Sequence, residues 1–204
     1  MRFEFAWILA VGALTAAAAQ PAAALDPGTG RPAEYRLGER LLPATGSAPT
    51  VAPSGYKVIN WEALVPANWD PMKVFKGLDL NKLSDADPRA MAALDRLRTE
   101  WNNAPAKASM NGARVRIPGF VVPLENARDQ IREFLLVPYF GACIHVPPPP
   151  PNQIVYVRMN KGIALDSIYE AYWITGRMKV SRKATRLGAS AYQLDASKVE
   201  IYKY

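Results

Sequence analysis

The chain reads as a mainly β protein with one or two short helices, its strands closing into a small antiparallel OB-like β-barrel. Three observations predict this class. Past Met110 the hydrophobic period switches from helical spacing to two. About five alternating or apolar runs follow, each bounded by turn residues. Gly119 and Gly176 fall inside strand patterns, where the wall of a small barrel must bend sharply. An α+β sandwich, an open sheet with the helix on one face, accounts for the same runs and stands as the alternative. Half of the 204 residues are hydrophobic, enough for one buried core.

The first element is a leader. Arg2, an apolar run from Phe5 to about Ala18, and small residues before Gln20 read as a signal peptide over 1–19. The run is shorter than the roughly 20 residues that span a bilayer. Residues 20–55 are rich in Pro, Ala, Gly and Thr without a hydrophobic period, and read as a flexible tether. A single globular domain is expected over 56–204. It starts at "YKVINWEALVP", where Val58, Ile59, Trp61 and Leu64 can anchor on a core and Pro66 closes the segment.

A helix is expected over about 87–103. Asp87 can cap it, Pro88 suits its first turn, and Ala90, Leu94, Leu97 and Trp101 recur at helical spacing as the inward face. The barrel is then expected over about 112–204. "ARVRIPGFVVPLE" places Val115 and Ile117 on one face and Arg114 and Arg116 on the other. "DQIREFLLVPYF" is a second, more fully apolar strand, and "NQIVYVRM" a third. In "SIYEAYWITGRMKV" Tyr172, Ile174, Met178 and Val180 alternate with Trp173, Thr175, Arg177 and Lys179, and "AYQLDASKVEIYKY" completes the set. The tryptophans Trp61, Trp69, Trp101 and Trp173 read as core and interface anchors rather than as a ligand pocket.

The leader predicts a periplasmic or otherwise exported protein, soluble after cleavage, with no cysteine near the leader to carry a lipid. In an oxidising compartment one cysteine cannot form an internal disulfide. Cys143 must therefore be buried, metal-bound, reactive or paired with another molecule. The formal charge is +7, and its one local concentration is Arg177, Lys179, Arg182, Lys183 and Arg186. After export such a run points to an anionic membrane surface or an acidic partner, and not to nucleic acid; a solvated strand end is the plainer reading.

The segment "GACIHVPPPPPNQ" holds the only cysteine and the only histidine, two residues apart and followed by five prolines. Read as extended, it puts Cys143 and His145 on one face and buries Ile144 and Val146 on the other. Thiolate and imidazole suit zinc or copper, with Glu125 as a third oxygen ligand and Met110 and Met159 as soft candidates for copper(I). The same pair fits a Cys/His-dependent hydrolase or thiol enzyme, with Asn152 or Gln153 orienting the imidazole. A catalytic thiolate usually sits at a helix N-terminus, however, and no helix can start before the prolines end. A structural pair, with the cysteine buried and the histidine satisfied by the backbone, is the third reading. The prolines form a stiff strut that either covers a sheet edge or stands as a ridge toward a partner.

The segments "RIPGFVVPLE", "REFLLVPYFGACIHVPPPPPNQIVYV" and "YWITGRM" resemble the exported bacterial proteins of the domain of unknown function 3299 family, over roughly Trp61 to Tyr204. The resemblance assigns no activity. It implies export and service to a transport or metal-handling system, such as an ABC transporter subunit as partner. The expectation is thus an exported non-enzymatic accessory protein that binds a soft metal ion or a partner protein through the Cys-x-His-poly-Pro edge.

Overall fold

The computed structural model describes residues 35–41, 55–79, 82, 84, 87–124, 130–164 and 169–202. The expected signal peptide, most of the expected tether and Glu125 lie outside them. Pro32–Tyr204 forms one compact unit. The fold is mainly β, with one α-helix and a six-stranded mixed sheet among the described residues. In chain order these are β1 (Lys57–Val58), α1 (Pro88–Asn102), β2 (Arg114–Pro123), β3 (Ile131–Val137), β4 (Val155–Ile163), β5 (Ala171–Thr185) and β6 (Gly188–Ile201). No helix among the described residues is long and apolar enough to cross a bilayer.

The pairings run β2–β3–β4–β6–β5, and β5 then pairs with β2 again. The expected all-antiparallel order is corrected at two places, since β4–β6 and β1–β2 are parallel. The first follows from the long β5–β6 hairpin: β5 carries the chain away from β4, so β6 returns in the same direction as β4. Strand β2 serves two neighbours in succession, β5 along Arg114–Phe120 and β3 along Phe120–Pro123. Gly176 sits at a register shift against β6, where an added Cβ would lie 2.9 Å from Ala196 Cα. At Gly119 an added Cβ would lie 2.6 Å from Leu136 Cγ and 3.0 Å from the Trp61 ring. Only glycine allows those approaches.

Both faces of the sheet are covered over much of its extent, so most of the alternating runs do not alternate in exposure, although the outer face stays open at Arg114, Arg177 and Lys179. Val115, Ile117, Val121, Phe134, Leu136, Val155, Val157, Ile174, Met178 and Leu194 make an inner cluster with Ile59, Trp61 and Leu64. Trp61 is fixed there by its indole N–H, which donates to Pro118 O at 2.8 Å. An outer cluster holds Phe120, Val122, Leu135, Val137, Tyr156, Ala171, Trp173 and Tyr202. Tyr35 and Leu41, from the stretch expected as tether, pack on it.

Arg116 therefore does not look out to solvent as the alternation predicts. Only 7 % of its side chain is exposed; the guanidinium lies 4.9 Å from the Trp173 ring centre and 3.4 Å from Glu200 Oε2. The inward face of α1 is also corrected. Capped by Asp87 as expected, the helix buries Ala93, while Leu94 and Trp101 are 43 % and 38 % exposed. Ala90 and Leu97 of the same stripe are half-buried, so the described fold covers it only in part.

Candidate functional site

The Cys-His segment leaves β3 through Pro138 and Tyr139. There it meets residues 35–41, with an Arg40–Tyr139 antiparallel bridge and two short bonds, Gly38 N–H to Phe140 O and Phe140 N–H to Glu39 O, both 2.9 Å. Beyond Phe140 the chain is a tight turn, and the extended reading of "CIHV" is corrected. Gly141 and Cys143 both take left-handed φ, +77° and +66°, and the N–H groups of Ile144, His145 and Val146 all point to Gly141 O. Cys143 is the one non-glycine residue with positive φ among the described residues, a conformation unfavourable for a side chain with a Cβ. The turn breaks up the expected faces: His145 is exposed as expected, but Cys143 and Val146 are both half-buried. Ile144 is 56 % exposed rather than buried, and Ala142 takes the core position.

Cys143 and His145 do not share a presented face. The cysteine is partly buried against the outer cluster, with Sγ 4.0 Å from where a Cβ at Gly188 would stand. Burial pushes its thiol up to about 11, so it is held protonated at neutral pH. The neighbouring Tyr139 phenol is raised as well, first by burial and then by Cys143. His145 stands exposed on the turn. Met159 is buried in the inner cluster and Met110 packs on it, so both methionines serve the core. Among the described residues no three His, Cys, Asp or Glu side chains converge on a point where a metal ion could sit. The proposed third ligand, Glu125, lies outside the described residues.

Asn152 and Gln153 are buried clamps, and their bonds run away from the imidazole. Asn152 Nδ2 donates to Pro105 O at 3.2 Å, ahead of β2. Gln153 Nε2 donates to Trp61 O at 2.8 Å, and its Oε1 accepts from Arg40 at 3.4 Å. Together they tie the proline segment to the turn before β2 and to the 3₁₀ turn Trp61–Leu64. The five prolines divide accordingly: Pro149, Pro150 and Pro151 are buried, and Pro147 and Pro148 are exposed.

Those two exposed prolines form one wall of a groove of about 390 Å³, lined also by Trp101, Tyr139, Val146 and Arg40. The Tyr139 hydroxyl donates to Pro147 O at 2.7 Å, which holds the proline wall over the ring. Arg40 brings a charge to this apolar site; its guanidinium is half exposed and 4.0 Å from Glu62. Eight large hydrophobic side chains are exposed among the described residues, and four of them, Leu37, Trp101, Ile144 and Tyr169, lie in or beside this region. Leu37 packs on the Gly141 turn, and Tyr169 stands 6.1 Å from the Phe140 ring. Sequence reasoning missed Arg40 because it assigned residues 20–55 to a tether, although "YRLGERL" breaks that composition with three apolar residues and no proline. It missed Trp101 by giving the helical stripe to the core.

The family model described as a protein of unknown function (DUF3299) matches residues 61–201. Among solved structures, the chain is similar to a DUF3299 family protein from Pseudomonas aeruginosa. The two are 36 % identical, the alignment covers 73 % of this chain and 97 % of the other, and the TM-score is 0.56. No curated protein matches the chain.

Proposed function

The chain belongs to the DUF3299 family, and we propose that it is an exported, non-enzymatic accessory protein whose OB-like barrel presents the proline edge to a partner protein. The occupant of the groove is an extended apolar segment of that partner, a membrane-associated transport subunit being the kind expected, with an acidic group facing Arg40. The circuit of pairings that returns to β2 supports the barrel reading, as does Gly176 at its tightest approach. The export reading rests on the apolar run Phe5 to Ala18.

One observation carries the choice of partner over metal or substrate. The conspicuous segment supplies the proline wall of a groove whose rings are Tyr139, just before it, and the partly exposed Trp101 of α1, whereas its thiol is turned inward and held protonated. An exposed apolar cluster of this kind marks an interaction site, and a wall of prolines already fixed in extended conformation loses little freedom of its own when a partner chain is received. Zinc or copper at Cys143, His145 and Glu125 would have to draw the thiol out of the outer cluster and deprotonate it. A thiol enzyme using Cys143, His145 and Asn152 would face the same cost, with the Asn152 side-chain nitrogen committed to Pro105 O.

The test is site-specific photocrosslinking in the producing cell, with benzoylphenylalanine at Trp101 and, as control, at Leu94 on the same helix. A discrete adduct from position 101 that is lost with Arg40→Glu supports the reading. Equal adducts from both positions, or an adduct indifferent to Arg40→Glu, contradict it.

A further inference from the structure

The basic run at Arg177–Arg186 is not one patch in three dimensions. Arg182 donates to Asn102 O at the end of α1 and Arg186 to Leu124 O at 3.3 Å, so two of the five cations are bound to backbone carbonyls. Arg177 and Lys179 lie instead on the outer face of β5, exposed, where they join cations from other strands.

The cross-strand register shows how. One row on the outer face reads Glu133, Arg158, Asp195, Arg177, Arg114 across β3, β4, β6, β5 and β2. Residues directly opposite in a ladder share a face and interact, and like charges there are destabilising. The signs alternate from Glu133 to Arg177, with Arg158 and Asp195 paired at 2.9 Å. The alternation then breaks: Arg114 stands opposite Arg177, supported from beneath by the Tyr56 ring at 4.3 Å. Hydrogen bonding with Ser197 and then with Arg114 holds the Tyr56 phenol low, with the charges of Arg114 and Arg177 adding to it. Lys179 occupies the next row, opposite Gln193, and Lys183 extends the face over Tyr156. Among the described residues Arg114, Arg177 and Lys179 form no ion pair.

We propose that this face of β5 and β2, centred on Arg114, Arg177 and Lys179, is a docking surface for an anionic phospholipid bilayer. The surplus charge is exposed and clustered across two strands, and Asp195 opposite Arg177 is already paired with Arg158, so the three cations together remain unneutralised, the complement of a field of phosphate headgroups. Single-stranded nucleic acid fits less well, because it needs open rings for stacking, and Trp173 and Tyr156 are only 4 % and 5 % exposed.

The experiment measures binding of the full chain to vesicles of phosphatidylcholine alone and with phosphatidylglycerol, which separates headgroup attraction from insertion of the apolar leader. Arg177→Gln with Lys179→Gln is compared with Arg182→Gln with Arg186→Gln, pairs of equal charge change. The first pair is expected to weaken anionic-vesicle binding about 25-fold, roughly fivefold per charge, and the second less than about threefold. Wild-type binding to the anionic vesicles should fall steeply with salt. Equal losses from the two pairs, salt-independent binding, no preference for anionic vesicles, or tighter binding to a DNA oligonucleotide at the same salt would each overturn the proposal. The salt and lipid comparisons use the wild-type chain and do not depend on the variants folding.

Discussion

Alkylation of the single cysteine separates a packed thiol from a presented one without interference from any other. Burial raises the Cys143 thiol from an ordinary 9.0 to about 11. Only the thiolate reacts with iodoacetamide at an appreciable rate. At pH 8 about one thiol in ten is ionised with a pKa of 9 and about one in a thousand with a pKa of 11, so the folded protein should react roughly 100-fold more slowly than the unfolded chain. The native rate should rise about tenfold per pH unit toward pH 11. The same shift links to stability. A raised acid pKa in the folded state contributes stability that is complete below pH 9 and is lost as pH climbs through about 11. Stopped aliquots read by intact mass, in buffer and in guanidinium, measure both rates. A native rate at pH 8 equal to or above the denatured one, or a plateau already reached below pH 8, would refute the reasoning and restore a presented thiolate.

Four substitutions test the packing that positions the site. Glu200→Ala leaves the buried Arg116 guanidinium without its carboxylate. It should cost about 2–3 kcal/mol in urea unfolding, whereas Lys198→Ala, which removes an exposed partner of the same carboxylate, should cost under about 0.5 kcal/mol. Gly176→Ala drives a methyl group into the β6 backbone at Asp195 and Ala196. It should lower the melting temperature by several degrees, a loss of about 2–3 kcal/mol, and an unchanged melting temperature would deny the close approach. Gln153→Ala strips the buried Trp61 carbonyl of its donor and should cost about 1–2 kcal/mol; loss of groove binding without loss of stability would give Gln153 a direct role instead.

The strands were legible because their apolar residues repeat at period two, and Gly176 and the Asp87–Pro88 helix start carry local chemistry that has one structural use. Reading failed where a residue's partner is distant in sequence. Arg116 alternates like a surface residue, but its face is covered by Trp173 and Glu200 from other strands. The stripe of Leu94 and Trp101 has the spacing of a core face, and nothing local says that both side chains stay exposed against the described fold. The turn at Cys143 was illegible for a different reason: positive φ at a cysteine follows from the Gly141 bonds and the docking of residues 37–41, not from a preference of the residue itself. The register that sets Arg177 against Arg114 spans more than sixty residues of sequence, so a linear charge count grouped Arg177 with Arg182 and Arg186.

The claim that function resides in the proline-walled groove, and not in the Cys-His pair, is tested most directly by the yield of the position-101 crosslink in two backgrounds. In Cys143→Ala with His145→Ala the adduct should persist at close to the wild-type yield, since neither side chain lines the groove. In Tyr139→Ala, which removes a lining ring and the hydroxyl that holds Pro147, it should fall by tenfold or more, the scale of ~1.4 kcal/mol or more in binding. An adduct lost with the Cys-His double variant and retained in Tyr139→Ala would contradict the account.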